Sequence, residues 1–402
     1  MDTLADVLTK VMRLGDVLGE ECFQNGLYKH ADSYGTGAPI LRINDFDNDG
    51  RLLTTEFMRV SVSEYEYQQF AVREGDLVIN RVNSLSHVGK SMLVRSMAEY
   101  PVFESNMMRV RIGAESVLTP EYVALALQGR VARRYFRKVA KPAVAQASIN
   151  QDDVRAVSIV VYPKSMQRRI AGMMTEWDQS IDTAEHLIAA KERFYNHELS
   201  RLISRPHHPH SHIGAFAREL SERNRQGNER LLSVTNSRGF VLPEEQFERR
   251  VASADLSNYK VVRRGQYAYN PSRINVGSIA RLDDWDDGVL SPMYVVFEID
   301  QTKVDSDYFV HWLASHEAQQ RIKNSAQGSV RETVSFSDLA AIHFPLPERQ
   351  RQTSIAAYLS CLRNEIGLLE RQTNQLRLQK RGLMQKLLTG EWGVPVAEEA
   401  VA

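Results

Sequence analysis

Several short runs in this chain have the residue types and spacing of known chemical sites. Asp45, Asp47, Asp49, Gly50 and Glu56 fit D-x-D-x-D-G-x5-E, the oxygen-rich loop that wraps calcium. That loop needs a helix on each side. Upstream lies Tyr34-Gly35-Thr36-Gly37-Ala38-Pro39, which does not propagate a helix, and no second loop exists to pair with it. An Asp/Asn/Gly turn has the same composition and is the preferred reading. Gly89-Lys90-Ser91 resembles the end of a phosphate loop, but the required earlier glycine is Ser84. Asn270-Pro271-Ser272-Arg273 resembles part of an amino-methyltransferase motif, without its second proline or its aromatic residue. His207, His208, His210 and His212 sit in a proline-broken stretch with no Cys or carboxylate beside them and read as a linker. No catalytic site and no metal site is expected.

The chemistry that remains is electrostatic. From Tyr122 to Gln151 there is no acidic residue, and Arg130, Arg133, Arg134, Arg137, Lys138 and Lys141 all fall there. A solvated helix face normally carries both signs, whereas neutralising phosphates needs a local positive field. The whole chain has 50 basic and 50 acidic residues, which excludes a uniformly basic coat but not a local one. Gln, Asn, Ser, Thr and Arg are the side chains that read base edges. They fill the loops 140–150 and 325–335, and they recur at Asn80-Arg81-Val82-Asn83 and at 270–275. The same residue types are ordinary in loops and on solvated helix faces; the candidates for DNA contact are Asn80, Arg81, Asn83, Arg134, Lys138, Lys141, Gln146, Ser148 and Asn150 in the first half. In the second half they are Asn270, Arg273, Asn275, Gln327, Ser329, Arg331 and Thr333.

The elements that position these loops repeat. Two long helices are predicted, over about 165–204 and 349–389. In the first, a 4-3 alternation selects Ile170, Met174, Trp177, Ile181, Ala184, Ile188, Lys191, Tyr195, Glu198 and Leu202. Each position plus 185 gives Ile355, Leu359, Leu362, Ile366, Leu369, Thr373, Leu376, Lys380, Leu383 and Leu387. The apolar members form a coiled-coil seam. Upstream, Gly75 and Asn80 align with Gly265 and Asn270, Gly89 with Gly277, and Glu121-Tyr122-Val123 with Asp307-Tyr308-Phe309. A helix of about 36 residues spans about 54 Å. The expected fold is α+β: two similar globules and two long antiparallel coiled-coil helices, forming a pseudo-two-fold internal repeat.

At 402 residues, about two or three domains are expected. Hydrophobic residues make up 43% and charged residues 25%, an ordinary globular composition. Two distant cysteines, Cys22 and Cys361, fit a reducing compartment. No apolar run approaches a membrane span, so a cytoplasmic location is expected.

Through this repeat and several short motifs, the chain resembles the specificity (S) subunit of type I restriction–modification systems. The strongest piece is the run Lys380-Arg381-Gly382-Leu383-Met384-Gln385-Lys386-Leu387-Leu388-Thr389-Gly390. Next are the helix starts, Gln167 with Ile170-Ala171 and Gln352 with Ile355-Ala356. Arg13-Leu14-Gly15-Asp16, His212-Ile213-Gly214-Ala215 and the stretch 270–277 match more loosely. Helix one departs from the pattern, reading Asn196-His197-Glu198-Leu199 where Gly-Leu-Met-Gln is expected.

The resemblance implies target recognition domains at 1–163 and 206–347, spacer helices at 164–205 and 348–390, and a tail at 391–402. It implies a non-catalytic subunit that reads a bipartite, asymmetric double-stranded DNA target. Its partners would be two methyltransferase (M) subunits and, through them, restriction (R) subunits, together a restriction endonuclease and DNA adenine methyltransferase complex. S-adenosylmethionine, ATP and Mg would sit on those partners, with no cofactor in this chain. Ile170, Met174, Trp177, Ile181, Ile188, Ile355, Leu359, Leu362, Ile366, Leu369, Leu376, Leu383 and Leu387 would form the coiled-coil and subunit interface. The residues alone also admit a coiled-coil scaffold whose globules bind proteins and not DNA.

Overall fold

The computed structural model describes residues 10–142, 144, 146–204, 207–225, 227–236, 238–242, 255–326 and 333–393. The chain divides into two compact units. One comprises Met1–Thr183 and Thr373–Ala402, the other Ala184–Gln372.

The first unit is built on an antiparallel sheet in the order Phe23–Asn25, Met107–Val110, Leu77–Asn80, Ser91–Leu93. The run Leu77-Val78-Ile79 is apolar on both faces and buried on both. Gly75, at φ 86°, makes the turn into it, a conformation that a side chain would strain. Lys10–Arg13 pairs with Ser158–Val161. A second small sheet joins Tyr34–Leu41 to Met58–Val60 and Val102–Phe103. Two helices follow, Pro120–Gln128 and Arg130–Val139, divided at Gly129.

The second unit repeats this order. Its main sheet runs Ala217–Leu220, Val295–Ile299, Tyr267–Tyr269, Ile279–Arg281, again antiparallel throughout. Gly265 makes the corresponding turn at φ 82°. His210–His212 pairs with His343–Pro345, and the helices are Ser306–Leu313 and His316–Ala326. The core differs in kind. Phe216, Tyr267, Phe297, Phe309, Trp312 and Phe344 pack as tilted, stacked and edge-on ring pairs. In the first unit the buried centre is mostly aliphatic.

Helix one is α-helical over Lys164–Leu199 and continues as a π-helical turn, Ser200–Ser204. Helix two covers Arg349–Leu388, 40 residues. At 1.5 Å per residue they are about 54 and 60 Å long. In the second unit Lys191 meets Glu365 at 2.7 Å and the Tyr195 ring meets Arg363, so rising numbers in helix one meet falling numbers in helix two. In the first unit Tyr162 Oη donates to Leu387 O at 2.8 Å, and Lys380 Nζ holds both Asp178 carboxylate oxygens at 2.6 Å. In each unit the helices therefore run antiparallel.

The seam positions lie inward. Ile170, Met174, Ile181, Ile355, Leu359, Ile366 and Leu387 are buried, and Trp177, Ile188, Leu362, Leu369, Leu376 and Leu383 are half-buried. Ile170, Met174 and Leu387 join the core of the first unit, and Ile355, Leu359 and Ile366 that of the second.

A matching polar device starts each long helix. Gln167 is 0% exposed and Gln352 1%. Gln167 accepts from Thr119 N at 2.8 Å and donates to Tyr162 O at 2.7 Å and Val117 O at 2.8 Å. Gln352 accepts from Asp305 N at 2.8 Å and donates to Pro347 O at 2.8 Å and Lys303 O at 3.2 Å. A buried amide holding three backbone groups explains why glutamine recurs at this offset.

Candidate nucleic-acid interface

In the helix Arg130–Val139, Ala132 and Phe136 are buried against the core. That phase turns Arg130, Arg134, Arg137 and Lys138 outward along one stripe, and all four are exposed. Lys141, exposed, follows on the strand Lys141–Pro142. None of these five cations has an ion-pair or hydrogen-bond partner among the described residues. Arg133 is the exception within the basic run. It points inward and donates to Val88 O at 3.1 Å, Ser86 O at 3.0 Å and Asn48 Oδ1 at 3.1 Å. Burial pushes its pKa down, and its role is to brace two loops.

Lys141–Pro142 pairs with Ala147–Ser148, which pairs with Val82–Asn83. This three-stranded sheet gathers Asn83, Lys141 and Ser148, with Arg81 and Gln146 alongside. Gln146 is exposed, while Arg81, Asn83 and Ser148 are half-buried. Asn83 Oδ1 accepts from Ser84 N at 2.8 Å, and Arg81 Nη1 reaches Ser105 O at 3.4 Å. Asn150 caps the short helix Gln151–Arg155, accepting from Asp153 N at 2.8 Å.

Asn80 corrects a sequence expectation. The sheet strand continues through it, leaving it 0% exposed with its amide donating to Ile43 O at 3.2 Å. It supports the loop from inside and offers nothing to a ligand on the surface.

The second unit places its described candidates, Asn270, Arg273, Asn275 and Thr333, at the equivalent loop. Asn270 Oδ1 accepts from Ser272 N at 3.0 Å and shapes the turn. Arg273 is exposed, and Asn275 lies half-buried on a short turn, Ile274–Val276, closed by Gly277 at φ 91°. Val334 N donates to Pro271 O at 3.1 Å, which brings Thr333 beside this loop. In the first unit the matching bond runs from Ile149 N to Arg81 O at 2.9 Å. Gln327, Ser329 and Arg331 lie outside the described residues.

The other sequence signals resolve into structure. The loop 45–56 follows a strand, and Asp47 Oδ1 accepts from the backbone of Asp49 and Arg51 at 2.9 Å each, as in an aspartate turn. Lys90 supplies the cation there. Its ammonium donates to Ile43 O and Phe46 O, both at 2.6 Å, and lies 4.7 Å from the centre of the Phe46 ring. Burial lowers its pKa, and a lysine so enclosed does not grip phosphate. Sequence spacing did not bring His212 and His343 together, yet their ring centres lie 4.3 Å apart across paired strands. Among the described residues no group of three or more His, Cys, Asp or Glu side chains is placed to hold a metal ion. No helix among them is long and apolar enough to cross a membrane.

Arg130 and Arg137 lie on the same exposed stripe but are not among the contacts expected from sequence. Their helical phase relative to Ala132 and Phe136 was the signal that could have found them.

The architecture is an internal duplication, with a polar loop after the same sheet strand in each unit. Residues 272–378 match the family described as "Type I restriction modification DNA specificity domain". The chain is 24% identical over 405 residues to the putative type I restriction enzyme MjaX specificity subunit of Methanocaldococcus jannaschii, covering 95% of this chain and 93% of that one. It is 25% identical over 248 residues to the type I restriction enzyme StySPI specificity subunit of Salmonella potsdam, covering 61% of this chain and 51% of that one. The crystal structure of a type I restriction-modification system S subunit from M. genitalium superposes with a TM-score of 0.57 at 12% identity, covering 96% of this chain and 98% of that one. A chain from a structural study of complex assembly and conformational transition of the type I R-M system gives 0.58 at 14% identity, covering 96% and 99%. By sequence and by fold the chain is similar to the specificity subunits of type I restriction–modification systems.

Proposed function

We propose that this chain is the DNA sequence-recognition subunit of a type I restriction–modification enzyme, working in the cytoplasm. Each globule, 1–163 and 206–347, reads one half of a bipartite, asymmetric target. The helices within 164–205 and 348–390 fix the spacing and dock two methyltransferase subunits, through which restriction subunits join. Methyl transfer and DNA cleavage, with S-adenosylmethionine, ATP and Mg, belong to those partners. The observation that carries this reading is the duplicated loop junction. In both units the same backbone bond, Ile149 to Arg81 and Val334 to Pro271, ties a polar loop to the segment after the same sheet strand. Polar side chains at matching points of two copies suit a ligand with two comparable parts, as a split DNA site has.

The test uses the chain co-expressed with its methyltransferase partner, with modified bases mapped across host DNA. The expected motif is two short blocks with a fixed gap. Gln146→Ala should relax one position in one block, and Arg273→Ala one position in the other, each lost base contact costing roughly 1–3 kcal/mol. A complex that methylates no motif would refute the reading. So would a motif that neither substitution alters.

A further inference from the structure

The two candidate interfaces differ in charge far more than in fold. Aligning the buried pairs Ala132 with Ala318 and Phe136 with Ile322 sets the helices Arg130–Val139 and His316–Ala326 in register. The stripe positions Arg130, Arg134, Arg137 and Lys138 then correspond to His316, Gln320, Lys323 and Asn324, all exposed. Four fixed positive charges in the first unit become one in the second. The second helix also ties its Arg321 to Glu317 at 2.7 Å, whereas the only inward cation of the first, Arg133, is bonded to loop carbonyls and an amide. Residues 130–150 hold six basic and no acidic side chains, while 315–335 hold three basic and two acidic.

We infer that the first unit is the electrostatic anchor of the complex: it captures the duplex first, through phosphates and without regard to sequence, and the second unit adds readout with little charge. This rests on the DNA-reading function above. Arg130, Arg134, Arg137, Lys138 and Lys141 repel one another in the free protein, since none has an acidic partner among the described residues. A polyanion removes that repulsion. An uncompensated field at one end of a binding surface also raises the encounter rate with DNA, an effect that salt screens. Binding that neutralises phosphates releases counterions, at about 0.9 in the slope of log affinity against log salt per phosphate.

The experiment measures that slope for the assembled complex with the methyltransferase, on a target duplex and on an unrelated one. Replacing all five first-unit cations with Gln should flatten the slope by up to about 4.5. It should weaken both duplexes by the same factor and slow association at low salt. Arg273→Gln with Lys323→Gln should flatten it by no more than about 2. Gln320→Arg with Asn324→Lys should steepen the wild-type slope. The five-fold variant should unfold at the wild-type temperature or higher, because the charges it removes repel. Equal flattening by the two sets of Gln substitutions would overturn the anchor assignment and leave DNA reading intact. A lower unfolding temperature for the five-fold variant would also overturn it, by giving the stripe a structural role. A wild-type complex whose duplex binding ignores salt would overturn the DNA reading itself.

Discussion

At corresponding points of the two units, Gln167 and Gln352 hold the same three kinds of backbone group, yet the cores around them are built differently. The first unit packs aliphatic side chains about Tyr122 and Phe136, and the second a cluster of rings about Phe309 and Trp312. Outward-facing charge diverges as well. What stays constant is whatever satisfies the main chain: the glutamines, the left-handed glycines 75 and 265, and the boxes Asn150–Asp153 and Ser335–Asp338. A buried N–H or C=O accepts few substitutes, because its partner must arrive at one distance and angle. An apolar core can be refilled with other shapes of similar total volume. The duplication therefore persists where geometry is demanding and drifts where volume alone matters.

The largest expected effect tests that constancy. Gln167→Ala and Gln352→Ala each orphan two buried backbone groups and one part-buried carbonyl, and each should cost about 3–5 kcal/mol. Hydrogen exchange at the amides of Thr119 and Asp305 reads the two sites separately. A large loss at one and almost none at the other would break the equivalence of the units.

The next effect belongs to one unit only. His311 is buried between Tyr195 Oη, 2.8 Å from Nδ1, and Ser360 Oγ, 2.9 Å from Nε2. Burial pushes its pKa down to about 4. The aligned position in the first unit is Leu125. The folded second unit prefers the neutral ring, and the unfolded chain protonates near 6.5. Stability from this group is whole above about pH 6.5 and is lost as pH falls towards 4, by up to about 3 kcal/mol. Unfolding of wild type and His311→Gln should diverge in acid sensitivity over that window, with exchange in the first unit indifferent to the substitution. Identical pH profiles would remove the distinction.

The smallest effect sharpens the interface. Asn150→Ala and Ser335→Ala should each cost about 1 kcal/mol through loss of a helix cap. Asn150→Ser retains a cap and deletes the amide. If it restores stability but leaves DNA affinity reduced, Asn150 reads as well as caps; full recovery of both leaves it a cap only.

Much of the fold was legible because it is periodic. The seam from Ile170 to Leu202 and its copy at plus 185 declare both helices, their phase and their duplication before any contact is known. The candidate contact loops were legible only as segments. Asn80 has a side chain suited to reading bases and ends an apolar strand, but that strand lies in the middle of the main sheet and encloses it. Arg133 looked like its neighbours, and only the helical phase set by Ala132 and Phe136, with the carbonyls of Ser86 and Val88 within reach, separates it from them. Lys90 beside the aspartate turn depends on a contact 44 residues away in sequence, which no local pattern encodes.

Leu387 lies in the core of the first unit, with Leu383, Met384 and Leu388 packed on it, and its carbonyl is bound by Tyr162, 225 residues earlier. At the roughly 5–20 residues per second of synthesis, the ribosome delivers that wall some 10–45 s after Tyr162. Residues 184–372, which hold every element of the second unit, emerge in the interval. The half of the protein made first is thus the half finished last, and until then it waits with an apolar seam uncovered. A nascent chain stalled before residue 383 should therefore offer chaperones its N-terminal unit.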